Sequence, residues 1–100
     1  MSYVNFGLRL DEEGLKILIY VELDSTSASV MEYHVRKPDD TTATWTATQH
    51  TDATYLSYTT QTGDLDQLGD YEIIPYIEKG SLKKFGNEPV IITVDDKWIK

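Results

Sequence analysis

Leu65-Asp66-Gln67-Leu68-Gly69-Asp70-Tyr71 is the most specific local pattern in the sequence. An apolar residue, an acidic residue and a glycine two places before a tyrosine lead directly into a long alternating run. That arrangement suits a tyrosine at the start of a strand whose hydroxyl folds back onto the upstream backbone and locks a crossover between two sheets. Leu65, Asp66, Gly69 and Tyr71 are therefore the candidate structural corner, with Asp64 as a second acidic position.

Downstream of the corner, Tyr71, Ile73 and Ile77 share one side of a strand expected from Asp70 to about Lys79. Glu78-Lys79-Gly80-Ser81 reads as a hairpin turn. A last strand follows from about Glu88 to Val94, with Val90, Ile92 and Val94 on one face. Upstream, a strand from about Thr54 to Thr60 offers Leu56 and Tyr58 to the interior. Thr42-Ala43-Thr44-Trp45-Thr46-Ala47-Thr48 alternates strictly, so the threonines line a solvent face while Ala43, Trp45 and Ala47 point inward. Met31, Tyr33 and Val35 alternate with Glu32, His34 and Arg36, up to a Lys37-Pro38-Asp39-Asp40 turn. Leu15, Ile17, Ile19, Val21 and Leu23 form another apolar side. The opening residues, Tyr3 to Leu10, supply a first or edge strand before the Asp11-Glu12-Glu13-Gly14 turn.

This gives about seven short strands separated by turn signals, with no segment of helical period. The expected fold is all-β, an antiparallel sandwich of the immunoglobulin-like kind, with a small closed barrel as the structural alternative. One domain is expected over residues 1–94, followed by a polar tail at 95–100 in which Trp98 and Ile99 stand out as apolar.

Bulk composition narrows function. The chain has 100 residues, no cysteine and a net charge of −8. Without cysteine there is no disulfide and no thiolate metal site. The acidity repels phosphate backbones and anionic lipid, and Lys79, Lys83 and Lys84 are too few to form a basic footprint. We therefore expect neither nucleic acid nor membrane as a partner. No secretory leader is recognisable. The longest apolar run, Ile17 to Val21, is far below the roughly 20 residues of a membrane-spanning helix.

No catalytic constellation emerges. His34 and His50 lie on different segments without zinc-ligand spacing. Asp64-Leu65-Asp66 and Asp39-Asp40 do not continue into a calcium loop. The serines Ser25, Ser27 and Ser29 cluster in a turn with no nucleophile elbow. The six glycines are isolated and make no phosphate loop. The expectation is a protein that is not an enzyme and needs no cofactor or metal. Aromatic residues beyond the needs of the core point instead to binding. Tyr3, Phe6, Tyr20, Tyr76, Trp98 and Ile99 are the candidate interface residues.

The series Val35-Arg36-Lys37-Pro38-Asp39-Asp40-Thr41, Trp45-Thr46-Ala47, Leu56-Ser57-Tyr58 and Gly63 through Tyr71 resembles small phage-encoded immunoglobulin-like structural domains. Among these is the N-terminal domain of tailed-phage upper-baseplate proteins. Asp40 departs from the glycine usual at that turn. The resemblance implies a virion building block with no catalytic residues, located in capsid decoration, neck, tail or baseplate. Such a protein is made in the host bacterial cytoplasm and joins other virion proteins in a symmetric assembly. Because no fused receptor-binding part follows the module here, an accessory structural protein is expected. The alternative is a carbohydrate- or host-surface-binding module that takes up a glycan on exposed aromatics.

Overall fold

The computed structural model describes residues 8–96 and Trp98. Among these, nine strands and no helix form two sheets in a sandwich-like arrangement. The larger sheet runs β1 (Leu8–Arg9), β9 (Val90–Asp95), β7 (Gly69–Lys79), β3 (Val30–Arg36) and β4 (Thr42–Thr46), with β8 (Leu82–Phe85) also paired to β7. The smaller sheet runs β2 (Lys16–Tyr20), β6 (Tyr55–Thr59) and β5 (Thr48–Gln49).

Period-two alternation puts the core between these sheets. Tyr33, Val35, Tyr71, Ile73, Ile77, Ile92 and Val94 of the larger sheet, with Trp45, bury against Ile17, Ile19 and Leu56 of the smaller one. Tyr33 is completely buried. Its hydroxyl lies 2.9 Å from the carbonyl oxygens of both Ile17 and Leu56, so it donates across the core from β3 to the opposite sheet. A buried hydroxyl needs such an acceptor, and here the acceptors belong to the other layer.

Several expectations need correction. The larger sheet is mixed rather than antiparallel, because β1 pairs in parallel with β9 (Leu8 with Val94, Arg9 with Asp95). Alternation reports which face a residue occupies and carries no information on strand direction. Nine strands replace the expected seven for two reasons. The uninterrupted Thr42–Thr48 pattern divides at Ala47, whose amide donates to the Met31 carbonyl, so that β4 pairs with β3 and β5 with β6. Beyond the Gly80-Ser81 turn, β8 returns along β7 as an additional, wholly exposed strand. The strand expected over residues 15–23 contracts to β2, with Glu22 at φ +56° ending its extended backbone. The final strand runs through Asp95. Tyr3 to Gly7 of the expected first strand lie outside the described residues.

Pro75 lies within β7, where a missing N–H would normally break a ladder. The sheet accommodates it at a seam: β7 pairs with β9 up to Ile73 and with β8 from Tyr76 onward. At the seam the Pro75 carbonyl accepts the Gly86 N–H at 2.9 Å. A Cβ on Gly86 would stand 2.9 Å from two ring carbons of Pro75, so only glycine allows this approach.

Candidate functional site

The corner residues come together at one end of the sandwich. Leu65 is fully buried where the chain crosses from β6 to β7. The Tyr71 hydroxyl accepts the backbone N–H of Gln67 at 2.9 Å. Burial raises the Tyr71 phenol above its ordinary pKa. Gly69 adopts φ +118°, and its Cβ position lies 3.2 Å from the Pro38 ring. The β3–β4 turn thus rests directly on the crossing segment. Lys37 donates to Asp66 at 2.9 Å, and the Asp39 amide donates to the Gln67 side chain at 3.1 Å. The Asp66 hydrogen bond also raises the pKa of Lys37. Asp40 sits at φ +68°, a left-handed conformation that aspartate tolerates better than most residues. Two motifs almost thirty residues apart are therefore one structural unit.

The candidate interface residues do not form one surface. Tyr20 lies on the smaller sheet, against Tyr55 with ring centroids 5.3 Å apart. Tyr76 lies on the outer side of the larger sheet, across the sandwich from Tyr20. Trp98 is 77% exposed, with its amide donating to Asp96 at 3.1 Å. Tyr3, Phe6 and Ile99 lie outside the described residues.

Around Tyr76 the structure assembles a face that the sequence only hinted at. Residues of even number on β3 and β7 point outward, which brings His34, Ile74 and Tyr76 together. Phe85 of β8 pairs with Tyr76, and Ile91 of β9 pairs with Glu72. The Tyr76 and Phe85 rings are 4.6 Å apart, and His34 lies 5.3 Å and 5.4 Å from them. Phe85 and Ile91 remain about half exposed, at 51% and 49%. Charges lie around this apolar centre. Arg36 Nε donates to Glu72 at 2.8 Å, the Tyr76 hydroxyl donates to Glu78 at 2.6 Å, and His34 lies 3.1 Å from Glu32. The Glu78 hydrogen bond pushes the Tyr76 phenol up to about 12. Thr42, Thr44 and Thr46 complete the face along β4. Beside them lies a shallow groove of about 630 Å³ lined by His34, Arg36, Glu72, Ile74 and Pro89.

An aromatic and apolar centre with a polar border is a feature that protein interfaces share. Among the described residues no three His, Asp or Glu side chains converge as a metal site. Among the same residues, no helix is long and apolar enough to cross a membrane.

No family model matches the chain, and neither a curated protein nor a solved structure matches it.

Proposed function

We propose that this chain is an immunoglobulin-like module that serves as a non-enzymatic structural or accessory component of a bacteriophage particle, acting through protein–protein packing. The observation that carries the packing role is the outer face of the larger sheet, where Ile74, Tyr76 and Phe85 gather beside His34 and Ile91 lies next to Glu72 on the same face. Clusters of exposed apolar side chains rimmed by polar residues often mark interaction sites.

Strand order supports the immunoglobulin-like assignment. β3, β7 and β9 stand where that fold places its C, F and G strands, and β4 extends this sheet, opposite a β2-β6-β5 layer corresponding to B, E and D. The hydrogen bond from the Gln67 amide to the Tyr71 hydroxyl is the contact that a tyrosine corner makes. The virion assignment is supported by the turn-and-corner series, whose two halves are in contact in the fold.

A glycan platform is the weaker reading. Tyr20 is tilted 55° to Tyr55, and Tyr76 is tilted 39° to Phe85, so neither pair presents a flat double-ring surface to a sugar.

The test is quantitative mass spectrometry of gradient-purified particles from the phage or prophage that encodes the chain. A copy number close to that of the major capsid protein assigns a shell role, and a ring-sized number assigns neck, tail or baseplate. Absence from particles overturns the proposal.

A further inference from the structure

The same outer face has a second property, read from its strand register. Take the row His34, Thr44 and Ile74 as its midline. One step along the strands on one side lie Arg36, Thr42, Glu72 and Ile91. One step on the other side lie Glu32, Thr46, Tyr76 and Phe85, on the same four tracks in the same order.

We propose that this face packs against the same face of a second copy, about a two-fold axis running across the strands along that midline. The proposal rests on reading the face as an interface and names its partner. A two-fold axis in the interface plane lays each strand over its own copy in reverse, so the two flanking rows exchange places. Arg36 then lies over Glu32 of the second copy, and Glu32 over its Arg36. Ile91 covers Phe85 of the second copy, and Thr42 covers Thr46. Tyr76 meets Glu72, whose charge Arg36 already neutralises. On the axis, Ile74, Thr44 and His34 meet themselves, with no charged carboxylate or lysine among them. Apart from His34, which meets its own copy, no ionisable groups of like sign are opposed in these rows, and Ile74, Ile91 and Phe85 find apolar partners. Sheet twist turns the layers to about −30°, so the match is closest near the axis.

Two physical terms set the strength. Four strand tracks at about 4.8 Å spacing and five residues of strand length give a footprint of only ~300–400 Å². Stable interfaces bury about 800 Å² per partner, so this dimer is weak and concentration-dependent. Each copy also carries a net charge of −8. Repulsion between the bodies opposes association, and salt that screens it favours the dimer.

Sedimentation velocity on the full chain tests this, over a protein series up to ~1 mM and at low and high NaCl. The expected result is a reversible monomer–dimer equilibrium with a dimer fraction that rises with salt. Ile74→Lys and Ile74→Glu each place like charges on the axis and should be monomeric throughout, with a wild-type circular dichroism spectrum. Mixed in equal amounts, the two variants should form a heterodimer. A wild-type chain that stays monomeric to the top of the series overturns the proposal, and so do single variants that dimerise like wild type or a mixture that stays monomeric. A monomeric wild type combined with loss of Ile74→Lys from particles would refute the two-fold pairing while leaving the virion role. A dimer absent from particles would do the reverse.

Discussion

Tyr33→Phe removes one oxygen from the centre of the sandwich and leaves the ring in place. Tyr33 is 0% exposed, and its hydroxyl lies 2.9 Å from carbonyl oxygens of two strands in the opposite sheet. One proton serves both acceptors, so the loss is that of a single buried hydrogen bond, about 0.5–1.5 kcal/mol net. The carbonyls lose part of their solvation in a dry site, which places the expected value near the top of that range, ~1.5 kcal/mol. For a domain of this size that corresponds to a fall in Tm of about 6–12 °C. The assay is urea unfolding monitored by fluorescence, with an unchanged m-value as the sign that the fold is intact. The variant also changes alkaline behaviour. Burial raises the folded-state pKa of Tyr33 above the unfolded value, so its stabilising contribution is complete below about pH 10 and declines as pH rises further. Above that pH the unfolded chain loses the phenolic proton and the folded chain keeps it, a slope of about −1.4 kcal/mol per pH unit. Tyr33→Phe should flatten the alkaline loss by up to that slope. A stability change below ~0.3 kcal/mol with an unaltered alkaline limb would refute this account of the hydroxyl.

Other perturbations probe different joints. Tyr71→Phe leaves the Gln67 amide without its acceptor and should destabilise by about 1–2 kcal/mol in the same titration. Gly86→Ala drives a methyl into the rigid Pro75 ring and should cost about 1–3 kcal/mol, read as a lower urea midpoint. Wild-type stability for Gly86→Ala would mean that the seam in β7 is looser than the structure shows.

Side-chain parity along the strands was readable from the sequence, and strand partnership was not. Tyr71, Ile73 and Ile77 are buried where alternation places them, as are Tyr33, Val35 and Trp45. The division of Thr42–Thr48 between two sheets left no trace, because Trp45 of β4 and Ala47, at the junction before β5, both face the core. Leu82-Lys83-Lys84-Phe85 escaped because β8 contacts no core and so carries no alternation. The length of β7 and the Gly80-Ser81 turn were the clues to a returning strand. The face around Tyr76 was half visible. Tyr76 stood out as an aromatic residue, whereas Ile74 and Ile91 were hidden beside their inward neighbours Ile73 and Ile92. Such isoleucine doublets mark a strand that is apolar on both sides, the pattern expected where an outer face is also covered.

The central claim is that the outer face of the larger sheet is covered in the assembled particle. Carbene footprinting followed by peptide mass spectrometry measures this most directly, comparing the chain in purified particles with the dilute free chain. The account predicts that labelling of Ile74, Tyr76, Phe85 and Ile91 falls several-fold in particles while Tyr20 and Tyr55 are labelled equally in both. Equal labelling of the Ile74–Ile91 face in the two states would contradict it.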